Sequence, residues 1–124
     1  MVEENKIAAS VVNSAIRVHR ELGPGLLESA YQAALSHVLI NEGFKVEKEK
    51  PQHIFFEGER IDCGYRIDLL INDKVIVELK AVESLKKIHT AQILTYLKLS
   101  GCRLGIILNF NVRLLKHGIK RVIL

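Results

Sequence analysis

Two carboxylates and a lysine, the side chains that hold divalent cations and steady phosphate esters, fall within one short stretch: Asp68, Glu78 and Lys80. Two strand-like runs carry them, Tyr65 to Ile71 and Val75 to Ala81, joined by the polar tripeptide Asn72-Asp73-Lys74 in the manner of a hairpin. If Ile71 faces Val75 across a three-residue loop, Asp68 lies opposite Glu78, and opposed Cβ atoms in such a pair are about 4.5–5.5 Å apart. Both carboxylates could then reach one cation, and Lys80, two residues after Glu78, points to the same face. A two-residue loop would pair Asp68 with Val77 or Leu79 and dissolve the set. The same residues also allow an ordinary cross-strand ion pair to Lys80, contributing at most about 1 kcal/mol on a half-exposed face. Spacing alone leaves both readings open, although Val75 to Lys80 reads as a buried strand, where an unpartnered charge costs several kcal/mol.

Two further pairs lie on helical patterns. Glu28 and Tyr31, spaced i, i+3, share one face at the start of a helix, where an acid also interacts favourably with the helix dipole. Gln92 and Tyr96, spaced i, i+4, share a stripe of a later helix that plain packing would also explain. The five histidines show no ligand spacing and are assigned no role; His89, one turn before Gln92, is the one that could approach the set.

The elements that must position these residues follow from periodicity. Ile7, Val11, Ala15, Val18 and Leu22 mark an amphipathic helix from about Glu3 to Glu21, stopped by Gly23-Pro24-Gly25. A second helix is expected from Leu26 to Glu42, ending at Gly43. Lys45, Glu47 and Glu49 then alternate toward Pro51 as an edge strand would, followed by Ile54-Phe55-Phe56, a turn at Glu57-Gly58-Glu59, and the hairpin. Ser84 is the expected N-cap of a helix reaching Ser100. Arg103 to Phe110, almost wholly apolar and so expected to be central, and Lys120 to Leu124 complete the order ααβββαββ, with a parallel crossover between Val75 and Leu108.

With 124 residues, 48% of them hydrophobic and 26% charged, the chain fits one globular domain, residues 1–124. No apolar run approaches the roughly eighteen residues of a membrane span, and no leader precedes the first helix, so a cytoplasmic protein is expected. Cys63 and Cys102, without a CxxC spacing, read as reduced and mostly buried. The net charge of +4 is divided: residues 84–124 hold eight Lys/Arg and no acid, a basic region suited to a polyanion and equally to plain solvation.

Gly25 to Tyr31 spells GxxExxY, and with it the chain resembles a group of small proteins in the PD-(D/E)XK nuclease superfamily. Tyr65 to Asp68 followed by Val77 to Ala81 is similar to that superfamily's Asp and E-x-K elements. Gln92 to Tyr96 resembles the QxxxY motif of its RecB-type exonuclease branch. Ile67 stands where the superfamily's name has proline. The resemblance implies a restriction-endonuclease-like α/β core, a mixed sheet flanked by helices. It implies that Asp68, Glu78 and Glu28 bind Mg²⁺ or Mn²⁺, that Lys80 orients or activates the attacking water, and that Gln92 supports the site with Tyr31 and Tyr96 beside it. The expected function is metal-dependent hydrolysis of DNA, with RNA as the other polymer. The alternative is a catalytically inactive module of the same fold that binds nucleic acid or a protein. A domain this small would gain grip on a duplex as a homodimer.

Overall fold

The computed structural model describes all 124 residues. Helices α1 (Val2–Leu22) and α2 (Glu28–Asn41) open the chain, followed by β1 (Val46–Pro51), β2 (Ile54–Phe56), β3 (Glu59–Ile61), β4 (Arg66–Ile71) and β5 (Val75–Lys80). Helix α3 (Lys87–Ser100), β6 (Leu104–Asn109), a 3₁₀ turn at Leu115–His117 and β7 (Ile119–Ile123) complete it. Five strands form one mixed sheet in the order β1-β4-β5-β6-β7, and β2 pairs only with β3 in a separate ribbon. The main sheet therefore follows the expected ααβββαββ order, with the ribbon as an addition.

Burial drives the layering. Ile7, Val11, Ala15 and Val18 of α1 and Tyr31, Leu35 and Leu39 of α2 pack on one face of the sheet against Leu69, Ile71, Val75, Val77, Leu79, Leu104, Ile106 and Leu108. Ile93, Tyr96 and Leu97 of α3 cover the other face over Leu70, Ile76 and Ile107. Alternate residues of β5 thus serve two cores, as the period of two requires, and Glu78 and Lys80 fall on the α3 side with Ile76. Gly105 lets α3 approach closely, because a Cβ there would lie 2.6 Å from Ile93 Cδ1.

β6 is an interior strand, as its apolar run implies, parallel to β5 and antiparallel to β7 with all six residues buried, and β5 is the middle strand of the five. The β4–β5 turn has three residues, Asn72 and Asp73 having positive φ, and pairs Ile71 with Val75, Leu70 with Ile76 and Leu69 with Val77. β1 is an edge strand, as its charge pattern implies.

Some expectations are corrected. α3 begins at Lys87, and its N-cap is Lys86, not Ser84. The bend after β5 is tied to Asn109, whose side chain accepts from the Val82 amide at 3.1 Å and donates to the Val82 carbonyl at 2.9 Å. His89 caps the helix instead, its Nδ1 accepting from the Lys86 amide at 3.0 Å. α2 starts at Glu28, and Leu22 is exposed rather than packed. Cys102 is buried, but Cys63 sits exposed in the loop before β4. No helix is long and apolar enough to cross a membrane.

Candidate active site

The sheet ladder opens at Asp68. Its pairing with β5 stops at Leu69–Val77, and its pairing with β1 runs through Lys48–Leu69 and Lys50–Ile67 without a bridge between Glu49 and Asp68. Ile67 and Leu69, two residues apart, belong to opposite cores, so the pleat of β4 is broken at Asp68. Glu49, facing this break, has φ 52°, a left-handed conformation that a non-glycine residue adopts only under local constraint.

Backbone groups freed by the break are satisfied by side chains, as buried amides and carbonyls must be. The Asp68 amide donates to Glu78 Oε2 at 2.9 Å. The Leu79 amide donates to Asp68 Oδ2 at 2.9 Å. Gln32 of α2 donates from Nε2 to the Asp68 carbonyl at 3.0 Å and to Glu49 Oε1 at 2.9 Å. The two carboxylates thus reach across from neighbouring strands into the space where ladder bonds would otherwise lie.

Next along β5, Lys80 donates from Nζ to Gln92 Oε1 at 3.3 Å, and Gln92 donates from Nε2 to the Tyr96 hydroxyl at 3.2 Å. The cross-strand ion pair that the spacing also allowed does not form: no carboxylate lies within 4.0 Å of Lys80. Glu28 accepts from the Ala81 amide at 3.0 Å, tying the first turn of α2 to the end of β5.

Tyr31 stands apart from this chemistry. It is fully buried, stacked on Phe110 with centroids 4.3 Å apart, and its hydroxyl donates to the Gly23 carbonyl at 2.6 Å while accepting from the Leu26 amide at 3.1 Å. It pins the Gly23–Leu26 loop and so fixes where α2, and hence Glu28, begins.

Electrostatics at the break raise the pKa of both acids when no cation is bound. Burial, and then the nearby Asp68 charge, push Glu78 up to about 8. Burial likewise raises Asp68, opposed by the Leu79 amide and reinforced by Glu49 and Glu28, while the charge of Lys80 works against both shifts. Burial and the Glu78 charge raise Tyr96. A hollow of about 240 Å³ lies over Asp68, lined by Glu28, Ser29, Gln32, Glu49 and Leu79.

These donors fit a hard divalent cation in kind: they are all carboxylate oxygens, and Asp68, Glu78 and Glu28 each accept one amide hydrogen bond on one oxygen and none on the other. They do not yet converge, however, because no three His, Cys, Asp or Glu side chains stand close enough together to share an ion.

Gln32 and Glu49 escaped the sequence reading. Gln32 lies one turn after Glu28 on α2, which was a usable signal; Glu49 looked like one more charge on an edge strand, and only the break in β4 gives it a role.

A family model described as the PD-(D/E)XK nuclease superfamily matches residues 5–122. No curated protein and no solved structure matches the chain. That match spans nearly the whole chain, and the mixed five-stranded sheet between helices is consistent with a restriction-endonuclease-like fold. The domain that carries the open ladder at Asp68 and Glu78 thus belongs to the PD-(D/E)XK nuclease superfamily.

Proposed function

We propose that the protein is a metal-dependent nuclease that hydrolyses DNA phosphodiester bonds, and that Gly25, Glu28 and Tyr31 mark it as one of the superfamily's GxxExxY proteins. The observation that carries this reading is the juxtaposition of Asp68 and Glu78 in an open ladder beside the Lys80–Gln92 pair. Asp68 and Glu78, joined by Glu28, would hold Mg²⁺ or Mn²⁺. When bound, the ion neutralises phosphate charge and lowers the pKa of a coordinated water.

The chain's own residues do the rest. Lys80 brings a positive charge to the edge of the acid pair, where charge develops on a phosphate under attack, and Gln92 fixes the ammonium so that little reorganisation is needed. Asp68 and Glu78 hold the two strand ends together, Glu78 through the Asp68 amide and Asp68 through the Leu79 amide, so the site is preorganised by the same bonds that replace the ladder. The acid-free segment 84–124 supplies eight cations to draw in a polyanion.

Incubating the protein with labelled single-stranded and duplex DNA and RNA, with Mg²⁺, Mn²⁺ or EDTA, tests the reading. Cleavage that requires the ion and is lost in Asp68→Ala and Lys80→Ala supports it; cleavage by both variants at the wild-type rate sinks it. The second reading, a non-catalytic module, is favoured by one observation: each of the three acids is already engaged with a backbone amide. It predicts nucleic-acid binding that ignores EDTA and shows no turnover.

A further inference from the structure

We propose that the α3 face beside Lys80 binds a single-stranded stretch of nucleic acid, one unstacked base lying against Tyr65 and the adjoining phosphate lying over Lys86, Lys87 and Lys120. The inference rests on the nuclease reading and names the form of its substrate.

Gln92 joins the two regions. Its side chain bonds both Lys80 and Tyr96, and it also lines a hollow of about 370 Å³ whose walls include Tyr65, Ile88, His89 and Thr95. Tyr65 and Tyr96 meet edge to face with centroids 6.4 Å apart. Tyr96 is buried, but Tyr65, which packs edge-on against it, is 51% exposed and Ile88 is 69% exposed. An aromatic ring with a free face beside an aliphatic side chain is suited to a flat heterocycle. Within a duplex a base offers no face, so only an unpaired or flipped-out nucleotide can use such a hollow.

Phosphate chemistry adjoins it. A second hollow shares Ala91 with the first and is lined by Lys86, Lys87 and Lys120 together with Leu85, Thr90 and Leu94. None of these lysines has a carboxylate within ion-pair distance. Aromatic stacking surface alternating with uncompensated cations is the pattern of a single-strand track. Glu78 is only 3% exposed, so a phosphate reaching the acid pair must enter a recess, which a flexible single strand does more readily than a stiff duplex.

Fluorescence anisotropy in EDTA separates this from cleavage. The probes are labelled oligothymidylate, a hairpin duplex of equal charge, and an abasic oligomer of the same length. Oligothymidylate should bind tightest. Tyr65→Ala should weaken it by roughly fivefold or more, Tyr65→Phe should restore it, and neither should change abasic binding. The Lys86→Ala/Lys87→Ala double variant should reduce the salt slope by about 0.7 for each phosphate that is no longer neutralised. Equal affinity for the abasic oligomer, tighter duplex binding, or indifference to Tyr65→Ala overturns the inference. Cleavage by a protein that prefers duplex would defeat this inference alone; single-strand preference without any metal-dependent cleavage would defeat the nuclease reading alone.

Discussion

The amide of Asp68 donates to the carboxylate of Glu78, and the amide that follows Glu78 donates back to the carboxylate of Asp68. Two acids from adjacent strands therefore occupy each other's backbone at the point where the sheet ladder ends, which makes them structural and chemical elements at once.

Asp68 should separate those two roles. Replacing it with Ala leaves the Leu79 amide unpaired in a half-buried place, at a cost of about 1–3 kcal/mol. Asp68→Asn keeps an acceptor for that amide while removing a charge that opposes Glu78, so it should melt at or above the wild-type temperature without metal. Both variants should lose metal-dependent cleavage. Thermal and urea denaturation in EDTA, beside a cleavage assay, reads the split.

Glu78 sets a pH dependence. Its ordinary value of 4.5 is raised to about 8 in the fold, so between those values the folded state keeps a proton that the unfolded state releases. Stability of the metal-free protein should be level below about pH 4.5 as far as this group is concerned, fall as pH rises toward 8, and level off above it. Asp68, shifted the same way, adds to the fall. Melting curves from pH 5 to 9 in EDTA should show it, and Glu78→Gln should flatten most of it.

Tyr31→Phe keeps the stack on Phe110 and removes only the hydroxyl that holds Gly23 and Leu26. Loss of one buried donor should destabilise the protein by about 1–3 kcal/mol. Because the loop fixes the start of α2, metal affinity measured by titration calorimetry should weaken as well, through a looser Glu28.

Gln92→Leu leaves Lys80 charged but unfixed. A hydrogen bond to a charged group is worth about 1.5–3 kcal/mol, so kcat should fall roughly tenfold to a hundredfold with metal affinity unchanged. Lys80→Ala should fall further. Steady-state kinetics against metal concentration distinguishes the two.

Much of this was legible in the chain. The Asn72-Asp73-Lys74 turn allowed the three-residue loop that pairs Ile71 with Val75, and that is the pair observed, although the chain alone left a two-residue loop open. The i, i+4 spacing of Gln92 and Tyr96 became a hydrogen bond. The break in β4 was not legible, since reasoning by a period of two assumes an unbroken pleat; Glu49 and Gln32 matter only because Asp68 interrupts it. The late start of α3 was hidden because its cap is not one of the usual capping residues: Lys86 holds that place and the His89 side chain closes on its amide.

The sharpest test of a metal site at the open ladder is a crystal structure of the protein soaked in Mn²⁺, with data collected for anomalous scattering from manganese. One anomalous peak is expected between the carboxylates of Asp68 and Glu78, absent in Asp68→Ala. An ordered structure with no peak there, both acids still bonded to the Leu79 and Asp68 amides, would contradict a metal-dependent active centre.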